Sequence, residues 1–353
     1  MPLPFILGGL AVAAGLYGVK KMVDSSDNNN RARALYEEAE DIFYRAKNRL
    51  DQQKDVTNEM LESLGKTRIT VWSEDMGAFV NTFKKFKDIE WQGQVANDSN
   101  LKVSEEKLNE IQKTSIKAGE MVKAGFGSLA AGTLAGVAAY GGVGALAAAS
   151  TGTAISALSG AAATNATLAW LGGGSLAAGG LGIAGGTAVL GGIVAGPVLA
   201  VAGLFAASKS EENLAKAESA YSQARNSAEK MNVMTDTLKN IYNIAYDYNN
   251  FIYEFSGRFK IVINSVNEIH NKYFEILSKR FLNRLKIFFG MRKSIKVSFN
   301  DLDENEQKTL HISWLMAQML QSLLKQGLLD QNGNIDDKSR SLLNEGKKFL
   351  IQG

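Results

Sequence analysis

GFGSLAAGTLAGVAAYGGVGALAAAS, Gly125 to Ser150, and GLGIAGGTAVLGGIVAGPVLAVAGLFAAS, Gly180 to Ser208, are the two arms of a tract with no charged side chain between Lys123 and Lys209. The tract runs for about 85 residues, whereas one bilayer-crossing helix needs only ~20. In the first arm Ser128, Gly132, Gly136, Gly144, Ala148 and Gly152 recur at multiples of four. In the second, Gly180, Ala184, Ala188, Gly192, Gly196 and Ala200 do the same, with Gly182 and Gly186 repeating the spacing on a neighbouring row. Four-residue spacing places small residues on one helical face, where backbones can touch and dispersion holds helices together in lipid. These stripes are glycine zippers, and they predict a helical hairpin over residues 124–208.

The arms differ in how readily they should enter a membrane. The second carries Leu181, Ile183, Val189, Leu190, Ile193, Val194, Val198, Leu199, Val201, Leu204 and Phe205, each favouring insertion by ~0.3–0.6 kcal/mol near a helix centre. The first relies on Ala and Gly and is expected to insert only with a partner helix. Pro197 is tolerable inside a membrane bundle, where neighbours re-satisfy the freed backbone group. Between the arms, Thr153 to Leu171 contains Asn165 and few large residues, so a shallow re-entrant helix is expected there rather than a third crossing.

The amino terminus repeats the theme. Leu3 to Val19 reads LPFILGGLAVAAGLYGV and is followed by Lys20 and Lys21. No Lys or Arg precedes the run, so an anchor over 1–22 is expected rather than a cleaved leader, although Ala11-Val12-Ala13 loosely fits a cleavage pattern. Lys20 and Lys21, with Lys113, Lys117 and Lys123 before the tract and Lys209 and Lys216 after it, put all these flanks on the cytoplasmic side. Three crossings result, with most of the chain in the cytoplasm.

The charged flanks read as long helices. Leu35, Ala39, Ile42, Ala46 and Leu50 mark one stripe, and Trp72, Met76, Phe79, Val80, Phe83 and Phe86 another. A shorter helix over Leu101 to Lys123 starts at Ser104, where Lys107 replaces the Glu of a full capping box. From Leu214 a heptad-like stripe passes through Ala217, Tyr221, Ala224, Ala228, Met231, Leu238, Ala245, Ile252, Phe255, Phe259, Val262, Val266, Ile269, Tyr273 and Ile276. A last amphipathic stretch centres on Trp314, Leu315, Met319, Leu323 and Leu324. The fold class is therefore all-α: an elongated bundle or coiled coil of antiparallel helices carrying a membrane hairpin and an amino-terminal membrane helix. Its segments are 1–22, 31–123, 124–208, 209–298 and 299–353.

Lys279 to Lys296 holds Arg280, Arg284, Lys286, Arg292 and Lys293 among Phe281, Leu282, Leu285, Ile287, Phe288, Phe289 and Met291, with no acid. Two readings stand side by side: a solvated face of a packed helix, or an interfacial helix in which each basic residue near an anionic leaflet contributes ~1 kcal/mol. Nucleic acid is not expected as a partner, since the formal net charge is only +3 and no recognition module accompanies the basic residues.

Catalysis finds no constellation. The two histidines, His270 and His311, have no partners at triad or metal spacing. Asp330 to Asp336 lacks the Gly at the sixth position of a calcium loop and has Ser341 in place of its bidentate Glu; Asn332-Gly333 reads instead as a turn. The glycine runs lack the Gly-Lys-Ser/Thr of a phosphate loop. With no cysteine, thiol chemistry is excluded, and no enzyme activity, metal or cofactor is expected.

STGTAISALSGAAATNATLAWLGGGSLAAGG, Ser150 to Gly180, continuing GGTAVLGGIVAGPVLAVAG, resembles the glycine-zipper cassette of a bacterial family of membrane-associated helical proteins, as does the amino-terminal segment ending Gly18-Val19-Lys20-Lys21. That resemblance covers most of the first 220 residues and implies a membrane context. In plan alone, with no shared motif, an apolar segment between long helices is similar to the α-helical pore-forming toxins of the haemolysin BL and cytolysin type and to the apolipoprotein L proteins. Two functions follow as expectations. One is a pore-forming or membrane-perturbing effector, of toxin or bacterial defence type, that homo-oligomerises through its hairpin. The other is a constitutively anchored coiled-coil scaffold or signalling protein that binds a protein partner through its helices. Repeated Gly costs a water-exposed helix ~1 kcal/mol each relative to Ala, a cost that makes sense where close packing matters, and this favours the effector.

Overall fold

The computed structural model describes residues 26–89, 103–128, 133–141, 214–279, 295–330 and 333–352. They form α1 (Ser26–Val71), a π-helical turn (Trp72–Met76), α2 (Gly77–Phe83), β1 (Phe86–Lys87), α3 (Glu105–Ala124), a 3-10 turn (Phe126–Ser128), α4 (Thr133–Tyr140), α5 (Leu214–Ser278), β2 (Val297–Ser298), a second 3-10 turn (Phe299–Asp301), α6 (Glu304–Lys325) and α7 (Asp337–Gln352). The fold is all-α. The two strands form one short parallel pairing, Phe86 with Val297 and Lys87 with Ser298. Among the described residues no helix is long and apolar enough to cross a membrane. The expected anchor at 1–22 and the tract beyond Gly141 lie outside the described residues.

The described residues belong to two compact units. In the first, built from residues up to 61, residues 214–244 and the turn Leu329–Ile335, α1 and α5 meet through small side chains. Ala39, Phe43, Ala46 and Leu50 pack on Ala224, Ala228 and Met231, with Ile42, Tyr221, Met234 and Leu238 around them. Alanine lets the helix axes approach until Phe43 and Leu50 fill the gaps. Thr57 Oγ1 lies 3.2 Å from the Leu238 carbonyl oxygen and Tyr221 donates to Glu38 at 3.4 Å. Position rises along both helices together, so the pair is parallel. In the turn, Gly333 takes φ +78°, Asp330 N donates to the Asn334 carbonyl, and Asn334 N donates to Asp330 Oδ1.

The second unit holds residues 62–141, 245–279, 295–328 and 336–352 of the described set. Its centre is aromatic: Phe79 lies 5.0 Å from Phe83, 5.7 Å from Phe259 and 6.2 Å from Trp314, and Phe83 stacks on Trp314 at 5.5 Å. All six residues of the Trp72 to Phe86 stripe are buried. Thr67 with Asn249, Asp75 with Ser256 and Lys85 with Asn267 again rise together, whereas Lys84 reaches Asn109 and Gln112 of α3, which runs the other way. α6 opposes α5, as Lys272 and Tyr273 meet Glu306 while Gly346 sits between Phe251 and Leu323. α7 follows α5, from Tyr248 with Ser339 to Arg258 with Leu350.

The expectation of antiparallel neighbours is therefore corrected for α1 and α5. A parallel pair cannot be closed by a short loop, so the chain must cross back before α5 begins; α3 and the uncharged tract lie in that connection. Both helix starts have a sequence cause. Ser104 accepts from Lys107 N at 3.1 Å, half of a capping box. Asp303 accepts from Asn305 N and Glu306 N while Glu306 accepts from Asp303 N, a complete one.

Enlarging the small contacts of the first unit should overpack it. Ala224→Leu is expected to cost ~1–3 kcal/mol, read as a lower thermal midpoint by circular dichroism.

Candidate functional site

The uncharged tract enters the second unit as a buried helix. Gly125 leaves α3 at φ +83°, a 3-10 turn follows, and α4 ends at Gly141, which takes φ +75°. The helix expected over Gly125 to Ser150 thus opens with a 3-10 turn and is broken at Gly141, because a glycine with positive φ terminates a helix. Leu134, Ala135, Val137, Ala138 and Ala139 are all buried, as is Gly136 of the expected zipper face. Gly132, Gly144, Gly182, Gly186, Gly192 and Gly196, and the basic set Lys20, Lys21, Arg280, Arg284, Lys286, Arg292 and Lys293, lie outside the described residues.

Three backbone-level contacts seat α4. At its start, a Cβ built on Gly65 would stand 2.1 Å from the Leu134 carbonyl oxygen, so α1 touches α4 where only glycine fits. At its end, a Cβ on Gly141 would stand 2.1 Å from the Lys325 carbonyl oxygen and 2.7 Å from Gly327 N. Between them, Arg68 Nη1 donates to the carbonyls of Val137 at 3.0 Å and Ala138 at 3.1 Å. These are carbonyls of the last turn, at the negative end of the helix dipole; the Val137 carbonyl also accepts from Gly141 N at 3.1 Å.

Arg68 is wholly buried, with Nε and Nη2 making no hydrogen bond. Its guanidinium lies 5.5 Å from the centroid of the Tyr248 ring, and Tyr248 donates to the Ser339 carbonyl at 2.9 Å. Burial lowers the Arg68 pKa to about 10, so the group stays charged at neutral pH. Burial also raises Tyr248 to about 12, which keeps its hydroxyl a donor. A buried cation ordinarily demands a carboxylate; here a helix end and an aromatic face take that place.

The same buried face of α1 continues to the π-turn. Trp72 is wholly buried with Nε1 unbonded, and Asp75 is 1% exposed. α3 seats on this turn: Ser115 Oγ donates to the Ser73 carbonyl at 3.4 Å, and a Cβ on Gly77 would stand 2.6 Å from Ser115 Oγ. π-turns concentrate at functional positions in helices. Elsewhere, His270 packs edge-on to Phe86 at 6.0 Å and stacks on Phe274 at 5.5 Å. Among the described residues no group of His, Asp or Glu could hold a metal ion.

Periodicity gave no weight to Gly65, Arg68, Asp75 or Tyr248. The available signal was an isolated glycine inside a helical pattern, which usually marks a close approach, followed one turn later by a cation on the apolar side. No protein-family model, curated protein or solved structure matches the chain.

Arg68→Met keeps the bulk but leaves the Ala138 carbonyl without a donor and the Val137 carbonyl with Gly141 N alone, at ~1–3 kcal/mol for a buried group left unpaired. Hydrogen exchange should then accelerate at α4 and Gly141 while the Ala39 to Leu50 stretch keeps its protection.

Proposed function

We propose that the chain is a membrane-inserting helical effector, of toxin or bacterial defence type, whose glycine-zipper tract is held by the helical body before it enters a bilayer and oligomerises. One observation carries the reading: α4, part of the uncharged tract, is buried in protein and clasped at its carboxyl end by Arg68. An apolar segment held in a protein interior by a single polar clasp is what a conditional inserter requires. The Gly and Ala composition supports it, since small residues pack as closely on a protein surface as on another helix in lipid. On this reading the fold is an elongated helical bundle with a transmembrane hairpin over 124–208 and an anchor over 1–22. The bulk of the chain lies on the cytoplasmic face of a bacterial inner membrane, and the partners are the bilayer and further copies of the chain.

A second reading is favoured by α5. It runs from Leu214 to Ser278, 65 residues, and exposes Tyr253 and Ile261 at 78% and 67%. A permanently anchored scaffold would use such a helix to bind a protein partner.

Inducible expression of the full chain in bacteria with a voltage-sensitive dye separates the two. The effector reading expects rapid depolarisation, its loss on deleting 124–208, and its loss in Gly192→Leu/Gly196→Leu with membrane association retained. Arg68→Met should depolarise faster than the parent. A stable potential in all four strains, with the protein in the membrane fraction, would favour the scaffold.

A further inference from the structure

We propose that Asp75 is the proton-binding group of a lock in the π-turn, which tightens the seat of α3 when protonated and loosens it when charged. Its bearing on release of the tract rests on the effector reading above; the proton lock itself does not. Asp75 Oδ2 accepts from Ser256 Oγ at 2.5 Å. Oδ1 has, among the described residues, only the poorly aligned ammonium of Lys260 at 3.3 Å. That ammonium is 53% exposed and is also 3.9 Å from Glu74. An ionised carboxylate has about four acceptor sites to satisfy, and this one has a single hydroxyl and a shared, solvated cation. A neutral acid needs fewer partners and suits the same cavity better.

The groups facing Asp75 come from α5 and from the π-turn itself, while α3 meets the turn at Ser73 and Gly77. α5 supplies Ser256 and Lys260, and the π-turn itself supplies Glu74. α3 turns Ser115 and Gly119 to this turn, the latter so close that a Cβ would stand 3.3 Å from Ser73 Oγ, while its Lys113, Lys117, Glu120 and Lys123 are exposed. Burial raises the Asp75 carboxyl above its usual value of 3.8; Ser256 and Lys260 draw it back and Glu74 adds to the rise. The folded chain therefore binds this proton more tightly than the unfolded chain does. The resulting stability is fully present below the unfolded value and is lost as pH rises through the folded one. Because α3 is seated on the same turn, Ser115 against the Ser73 carbonyl and Gly119 against Ser73 Oγ, charging Asp75 is transmitted to α3 through the backbone of the turn. The chain then passes from α3 through Gly125 into α4.

Thermal unfolding of the full chain and of Asp75→Asn between about pH 3 and pH 8 tests the lock. The two midpoints should coincide at the acid end, with the variant higher by ~2–4 °C at the alkaline end; a gap that does not change with pH overturns the proposal. Taking the difference removes Glu306 and Asp88, whose carboxyls are lowered and act in the opposite sense. If Asp75→Asn does not fold, Lys260→Gln takes its place. It leaves the carboxylate without its cation and must steepen the loss of stability with rising pH, an unchanged slope overturning the lock. Dye leakage from phosphatidylcholine vesicles containing phosphatidylglycerol is then read over the same range, expected to rise with pH for the parent and to stay flat for Asp75→Asn. Absence of leakage at every pH, with the midpoint gap intact, sinks the effector reading and leaves the lock. Leakage with a pH-independent gap sinks the lock alone.

Discussion

The guanidinium of Arg68 on the last carbonyls of α4 is the interaction around which the second unit is arranged. Burying an arginine without a carboxylate is costly, and two of its nitrogens make no hydrogen bond. What makes the site tolerable is that a helix carboxyl end concentrates unpaired carbonyls and about half a unit of negative charge, while the Tyr248 ring covers the cation. Tyr248 is in turn fixed by the Ser339 carbonyl. One side chain thus ties α1, α4, α5 and α7 together, and it does so through backbone carbonyls and a ring face rather than ion pairs. Salt in the medium screens exposed pairs such as Arg258 with Glu254 far more than this contact.

The parallel course of α1 and α5 is the second constraint, because it forces a long return between them. α3 supplies one pass, running against α1 and α2. The uncharged tract lies in the same connection, where the topology demands a crossover. The seat of α4 is correspondingly built from glycines on both sides, Gly65 below and Gly141 above.

Much of the helical layout was legible because burial leaves a periodic trace. The Trp72 to Phe86 stripe is buried throughout, and α5 buries Ala217, Ala224, Ala228, Met231, Ala245, Ile252, Phe255, Phe259 and Val266 as its spacing implied. The pattern failed at its end, where Ile276 is 55% exposed, since an α-helix drifts against a strict heptad. Two stripes upstream proved to be one helical run, interrupted only by the π-turn, because a widened turn keeps the helix going while shifting its face. Helix direction left no trace in periodicity at all. Arg68 and Asp75 were illegible for a different reason: a lone charge in a stripe reads as a solvated position unless the partner elements are known, and their partners lie far along the chain.

Close packing of small residues is the one rule that operates both in α4 and in a membrane. In the protein interior, Gly136, Ala135, Ala138 and Ala139 let α4 lie against its neighbours without large side chains. In lipid the same faces would bring helices into backbone contact. A Leu-rich segment would insert more readily, but it could not approach Gly65 or the Lys325 to Gly327 strap so closely and would demand a far larger cavity to be hidden in. The small side chains of α4 therefore have a structural use: they are apolar enough to be buried, small enough to lie against backbone, and secured by an arginine at the helix end.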